Sequence, residues 1–552
     1  MFILSILLHG CAGTADTAIS EGTVVGDCTD RADNDGDGLF DCDDDGCASG
    51  PDCEADADTD TDADTDADAD ADTDSDTDAD SDTDADTDTD ADTDADPGPI
   101  ARWSGDAHIA DVAIALEGRR SSDAAGASLA SGGDVTGDGE PDLVVGAPYA
   151  DVGANQSGQI YVVPGPVTAT QVLGDYGATV TGTSENGGTG IAIAIADVNG
   201  DGVGDLVGST PFAATDSSAS GWGSVWVSYG PLSGAYEDTA ADVTWTANTT
   251  MDGLGVAIVS LGDPDGDGVD AFAVSAPYSG VYAFGAGAVY VFDGGSAGGE
   301  VDEADVVIYG SAAQTAAGQG IQAIPDVDGD GVGELGIAAS PADATYSGMY
   351  YLFLGGPTSD GTTADADGRI LGRGGEPGKW SDAVVAPGDL DGDGYGELAI
   401  GAPTLIIDRG APGAVYVVSA ADLASDIDVL FAYATIEGTG EIGRMGQSVA
   451  APGDMDGDGN ADLVVGESGD ASYAYNGGAV HVYYGPFSGA LAAADAEAHF
   501  YGDTQEAAAG FTLDAPGDLT GDGLLDLVIG GKFAEGDAQY SGVAWVLAGG
   551  EP

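Results

Sequence analysis

The chain has 552 residues, with 10 Lys plus Arg against 99 Asp plus Glu and a formal net charge of -89. Phosphate binding needs clustered basic side chains, so this composition excludes nucleic acid and anionic headgroups as partners. It also implies a compact state that repels itself unless cations neutralise part of the charge.

Residues 1–8 form a short apolar run that ends Leu7-Leu8-His9-Gly10-Cys11-Ala12. An apolar segment closed by Leu-x-Gly-Cys resembles the lipobox of a bacterial lipoprotein signal. The resemblance implies a signal peptide over residues 1–11, a lipidated Cys11, and an exported protein at the outer membrane or cell surface. No Lys or Arg precedes the run. A plain secretory signal from a different start and a chance apolar terminus are the competing readings. No later stretch gives 18 uninterrupted apolar residues, so the only membrane contact expected is that lipid anchor.

Residues 12–27 read as a short linker. Cys28, Cys42, Cys47 and Cys53 lie within residues 28–53, and the sequence beyond has no cysteine. Four cysteines in an exported segment imply two disulfides, with three pairings left open. Zinc competes, although no paired C-x-x-C is present. Among these cysteines, Asp33, Asp35, Asp37, Asp41 and Asp44 hold loop positions 1, 3, 5, 9 and 12, a spacing that resembles a thrombospondin type 3 calcium repeat. A merely acidic loop is the alternative. From Asp56 to Asp96 every even-numbered residue is Asp, 21 in all. Like charges at period two leave no apolar face, so residues 54–99 read as a disordered acidic linker. Extended at about 3.3 Å per residue, the stretch would span on the order of 130 Å. A spacer and a low-affinity calcium sponge are compatible roles for it.

Residues 100–552 are a repeat array. Glycine-rich acidic loops begin at Asp134, Asp197, Asp263, Asp326, Asp389, Asp454 and Asp518, spaced by 63, 66, 63, 63, 65 and 64 residues on subtraction. Carboxylates at positions 1, 3, 5 and 9, with glycines between them, are the donors a hard cation such as calcium requires. The tight turn needs glycine's positive φ. An EF-hand is excluded in the fifth loop, because Ile400 stands at position 12 and no helix flanks it.

The seven loops differ in their ligands. Asp326, Asp328, Asp330 and Glu334 form a full set, as do Asp389, Asp391, Asp393 and Glu397, and Asp454, Asp456, Asp458 and Asp462. The second has Asp197, Asn199, Asp201 and Asp205. The first and seventh place threonine at position 3: Asp134, Thr136, Asp138 and Asp142, and Asp518, Thr520, Asp522 and Asp526. A neutral hydroxyl there lowers the expected affinity. The third has Asp263, Asp265 and Asp267 but Ala271 at position 9, and is expected to be the weakest. With the Cys-rich segment included, about six to eight Ca2+ ions are expected.

The fifth unit shows the strands. Arg369-Ile370-Leu371-Gly372, Ala383-Val384-Val385-Ala386, Leu398-Ala399-Ile400-Gly401 and Ala414-Val415-Tyr416-Val417-Val418 are short and rich in Val and Ile. They read as a small antiparallel sheet. Gly146-Ala147-Pro148 and Gly401-Ala402-Pro403 follow two such strands, and Gly510-Phe511 precedes another. Ser209-Thr210-Pro211, Ser275-Ala276-Pro277 and Ser340-Pro341 are drifted copies of the first motif. The sixth and seventh units lose it, as Gly466-Glu467-Ser468 and Gly530-Gly531-Lys532. With the calcium loops, these units resemble FG-GAP repeats, the blades of the integrin α-subunit N-terminal propeller and of many bacterial surface proteins. The expected fold is all-β, a seven-bladed β-propeller of four-stranded antiparallel blades over residues 100–552, with an open solenoid as the alternative. The resemblance also implies that an N-terminal strand, residues 112–116, completes the last blade beside residues 543–547.

No catalytic constellation emerges. His108, His481 and His499 sit in no catalytic motif, and His481 occupies a strand position that other units fill with Tyr or Trp. Gly294-Gly295-Ser296-Ala297-Gly298 matches a nucleophile elbow only formally, since no helix follows it. The expectation is therefore a monomeric, calcium-stabilised adhesion or recognition module for a protein or glycan partner. A passive envelope component and an enzyme acting on extracellular polysaccharide are the alternatives.

Overall fold

The computed structural model describes residues 102–214, 222–247, 252–327, 331–340, 348–372, 383–390, 395–405, 412–420, 423–438, 440 and 442–550. The expectations for Cys11, for Cys28, Cys42, Cys47 and Cys53, for Asp33, Asp35, Asp37, Asp41 and Asp44, and for the acidic linker lie outside these residues. So do Asp328, Asp330, Asp391 and Asp393.

Each repeat begins with a strand beside the central axis and steps outward. In the first blade Ser128–Gly133, Asp142–Ala147, Gln159–Val163 and Ala178–Thr181 succeed one another, each antiparallel to the last. Seven such sheets form a ring, and neighbouring first strands touch all the way round, Thr512–Gly517 closing on Ser128–Gly133. Second strands such as Asp142–Ala147, Ala271–Ala276 and Asp462–Glu467 are buried at every residue. A sheet covered on both faces explains their unbroken apolar runs. Between the second and third blades the filling is aromatic, with Phe272 stacked on Phe292 and meeting Trp245 edge-on.

The blades are not four-stranded. Each carries a fifth, short strand on its outer edge, running parallel to the fourth. In the first blade this is Gly234–Glu237, with Ala235 opposite Thr179. The segment belongs to the connection between the third and fourth strands of the second blade, so each blade lends an edge to the one before it. These strands include Gln171–Val172, Gly299–Glu300 and Gly361–Thr362, which are too short to show an alternating pattern in sequence. They cover backbone that would otherwise stand open at seven sheet edges.

Ring closure follows the same rule with the chain's own start. Ile114–Glu117 is the fourth strand of the seventh blade, with Ile114 opposite Val546 and Leu116 opposite Ala544. Gly105–His108 pairs in parallel with Ala498–Tyr501 as the fifth strand of the sixth blade. One helical turn, Ile109–Val112, joins the two. Trp103, Ile109 and Leu116 are buried. Residues 102–118 therefore clasp two blades, and their deletion is expected to abolish cooperative unfolding of the whole ring. Leu116→Ala is expected to lower unfolding stability by about 2–5 kcal/mol, the range for emptying a buried leucine site. Chemical denaturation of both variants checks this, and a deletion variant that melts like the intact chain would disprove the clasp.

Candidate metal centres

Because strand direction alternates, the loops between first and second strands share one face of the disc with the connections between third and fourth strands. Each metal loop ends where a buried second strand begins. Position 9 is consequently the first residue of that strand, and Asp142, Asp205, Glu334, Glu397, Asp462 and Asp526 are all essentially inaccessible to water. An unpaired carboxylate in such a place is strongly disfavoured. The third loop has Ala271 instead, which is also buried.

Within the first loop, Asp134 accepts backbone N–H bonds from Gly137, Asp138 and Gly139 at 2.6, 3.1 and 2.8 Å. Gly137 and Gly139 adopt φ of 72° and 95°, the left-handed region that lets the chain curl around one carboxylate. Asp142 accepts from the N–H groups of Val135 and Thr136 at 2.8 and 2.7 Å, and from Gly165 at 3.2 Å. The second, sixth and seventh loops repeat elements of this pattern. Neighbouring loops are sewn together as well. The residue at position 8 of one loop donates its N–H to the position 1 carbonyl of the loop before it, as Gly204 to Asp134, Asp270 to Asp197 and Ala461 to Asp389.

In the four loops whose position 3 is described beside a buried carboxylate, that residue bears on how the carboxylate is satisfied. In the first and seventh loops the hydroxyls of Thr136 and Thr520 donate to Asp142 and Asp526, each at 3.3 Å. In the second loop the Asn199 amide donates to Asp205 at 3.4 Å. The sixth loop has no such donor. Asp454, Asp456 and Asp462 bring carboxylate oxygens within 4.8 Å of one another, and only Arg102, at 3.2 Å from Asp456, brings positive charge. Burial pushes Asp462 up from 3.8 to about 7, with Asp456 and Asp454 adding to the rise. Burial lifts Asp205 to about 7 as well, helped by Asp201 and Asp197. Asp142 and Asp526 are raised by burial alone, against the hydrogen bonds they accept. An all-oxygen, carboxylate-rich donor set of this kind fits a hard divalent cation.

The third loop gathers Asp263, Asp265 and Asp267, all exposed. Asp270 does not replace the missing ninth ligand, because it turns to the second loop and accepts the Asp197 N–H at 2.8 Å. The second, fourth, fifth and seventh loops keep Asp201, Asp326, Glu334, Asp389, Glu397, Asp518 and Asp522 at the positions the repeat assigns.

One cluster escaped sequence reasoning. His481, buried in its strand as expected, faces His499 across the sheet at 2.9 Å between Nδ1 atoms, and its Nε2 lies 3.1 Å from Glu467. The antiparallel register that pairs the two histidines is a tertiary fact. No spacing in the sequence announces it.

Two measurements test the loops. In the metal-free protein Asp205 and Asp462 hold their protons to higher pH when folded than when unfolded. The chelated protein is therefore expected to gain melting temperature as pH falls from about 7 towards 4. Calcium should reverse that trend, because loading requires ionised carboxylates. In the second test, Asp456→Thr should lower calcium affinity at the sixth loop while raising the melting temperature of the chelated protein. Calorimetric titration and thermal melts read both effects, and identical pH trends with and without calcium would count against loaded loops.

Comparison with known proteins places these features in context. Residues 125–163, 383–418 and 445–483 match the FG-GAP repeat, each span covering the first three strands of a blade to within a residue. Phosphatidylinositol-glycan-specific phospholipase D of Rattus norvegicus is 36% identical over 167 residues, 29% of this chain and 19% of that protein. Integrin alpha-PS2 of Drosophila melanogaster is 28% identical over 225 residues, 39% of this chain and 15% of that protein. Integrin alpha-4 of Xenopus laevis is 28% identical over 208 residues, 37% of this chain and 18% of that protein. The chain thus spans less than a fifth of the length of each of these relatives.

Proposed function

We propose that this FG-GAP repeat protein, akin to integrin α chains in its repeats and propeller, is a calcium-stiffened recognition module that binds a protein or glycan partner through the face opposite its metal loops. The observation that carries the reading is where its apolar surface lies. Of eleven exposed aromatic side chains among the described residues, seven belong to the connections between second and third strands, Tyr149, Tyr278, Tyr282, Phe284, Tyr473, Tyr475 and Phe533, and Phe212 stands near the end of a second strand beside them. Tyr149, Phe212 and Tyr278 directly follow the Gly-Ala-Pro element or its drifted copies, so the placement recurs from blade to blade. Exposed aromatic groups gathered on one face are typical of interaction surfaces.

The other face is suited to support. Calcium, when bound, supplies positive charge between carboxylates that otherwise repel. The residues themselves fix the loops to one another through backbone bonds, and the buried position 9 side chains anchor each loop to its strand. The chain also enters the disc on this side, where Arg102 meets Asp456 of the sixth loop and Trp103 packs edge-on against Phe500. Export and lipid attachment through Cys11 belong to the same reading, and among the described residues no helix is long and apolar enough to cross a membrane. Binding without catalysis is part of it too, since His481 and Glu467 are spent on each other inside a blade.

Glycan and protein arrays probed with the full chain in calcium test the reading. Replacing Tyr473 and Tyr475 by alanine is expected to weaken the captured interaction by roughly tenfold or more, as loss of central aromatic contacts does. Chelation should weaken it as well. If no partner binds, or if the double variant binds unchanged, the passive envelope component is the better description.

A further inference from the structure

The chain has 10 basic side chains, and among the described residues three of six are ion-paired with aspartates. Arg102, Arg119 and Arg369 pair with Asp456, Asp175 and Asp426. Arg120 lies beside Asp123, lowering that carboxyl against the stronger effect of burial. Two others break the rule. Lys532 and Arg444 have no carboxylate within ion-pair distance among the described residues, although acids outnumber bases almost tenfold in the chain.

Both lie on the aromatic face, Lys532 in the second-to-third hairpin of the seventh blade and Arg444 in the connection from the fifth blade to the sixth. Lys532 stands in the seventh blade where other blades have the proline of Gly-Ala-Pro, and Phe533 follows it as Tyr149 and Tyr278 follow theirs. Its Nζ sits 3.3 Å from the centre of the Phe511 ring and 5.0 Å from that of Phe533. Phe511 belongs to the Gly-Phe element, so that element and the position where Gly-Ala-Pro is lost meet at one ammonium. Arg444 is exposed in the turn before the sixth blade's first strand, and the carbonyl of its neighbour Gly443 accepts the Gly469 N–H at 2.8 Å. The loop bearing Tyr475 continues the surface, as the Tyr475 carbonyl accepts the Glu506 N–H at 2.8 Å. Burial lowers Lys532 to about 8, and the charge of Arg444 adds to the fall. Two cations thus act on each other with no carboxylate within ion-pair distance of either among the described residues.

We propose that Lys532 and Arg444 form an anion subsite for the carboxylate of an acidic sugar, with Phe511 and Phe533 bordering the sugar ring. The inference rests on the recognition reading above and names its ligand class. A carboxylate between the two cations removes their repulsion through charge-assisted hydrogen bonds. Flat apolar rings beside the charges suit a ligand with a ring body and one acidic group. A polyanion does not fit, because a chain of net charge -89 repels it at long range. A single carboxylate is governed by charges within a Debye length of about 8 Å.

The test is calorimetric titration of the full chain, in calcium, with glucuronate- and galacturonate-terminated oligosaccharides and with their neutral methyl esters. The acids are expected to bind at least roughly tenfold more tightly than the esters, the scale of one charged contact. Lys532→Gln and Arg444→Gln should each erase most of that preference, and Lys532→Arg should keep it. Melting temperatures identify any variant that fails to fold, and Arg444→Gln, at an exposed site, keeps the test valid if Lys532→Gln does fail. Equal binding of acid and ester, a preference untouched by both Gln variants, or no sugar binding alongside capture of an acidic peptide would each overturn the proposal. If the preference is absent while the Tyr473 and Tyr475 double variant still loses its partner, the recognition reading stands and this inference falls. If the double variant binds unchanged as well, both fall.

Discussion

The constraint on which the rest depends is a carboxylate held away from water at the first residue of the second strand in six of seven blades. Such a group is tolerated only with partners, and the chain provides them in a fixed order. Backbone N–H groups of the preceding turn and of the third-to-fourth connection come first, as for Asp142. A hydroxyl or amide at position 3 follows in three loops. Where an aspartate takes that place, as in the sixth loop, crowded carboxylate oxygens remain and Asp462 is held above the usual carboxylate range. The acidity of the disc and the geometry of its strands are thus aspects of one arrangement. The loop folds tightly because it surrounds a carboxylate, and the strand starts where that carboxylate enters the core.

The same loops bind the blades to one another. Position 8 of each donates to position 1 of the loop before it in the pairs named above, and the third-to-fourth connection donates to position 2, as Leu232 does to Val135. The fifth strands carry the same linkage outward, each blade capping the edge of its predecessor. A ring built this way has no independent blade. Its one covalent break, between chain start and chain end, is bridged by residues that follow the interblade pattern and bury Trp103, Ile109 and Leu116 in doing so.

Two faces of different chemistry result. One holds the carboxylate loops and receives the chain from its N-terminal side. The other presents aromatic side chains from hairpins that carry no metal ligands, and it also holds the two described cations without acidic neighbours. Departures from the repeat are informative here. Ala271 removes a ligand and leaves Asp270 to brace the adjacent loop. Lys532 places a charge at the position where the first, second, third and fifth blades have Pro148, Pro211, Pro277 and Pro403.

Sequence alone determined the number of blades and the position of each carboxylate-rich loop, because these depend on local spacing: a nine-residue acidic turn can fold in few ways, and it recurs at a constant step. It also pointed to the closing strand through the apolar run 112–116, although the strand itself is Ile114–Glu117 and Val112 ends the helical turn before it. Tertiary structure decided what depends on neighbours far away in the chain. The fifth strands are two to four residues of unremarkable composition that become strands only when a neighbouring edge offers hydrogen bonds. The pairing of His481 with His499 depends on register, and the meeting of Phe511, Lys532 and Arg444 on the packing of two blades. A short motif carries its own turn within it. A contact between blades is set by the closure of the whole ring, which no local stretch encodes.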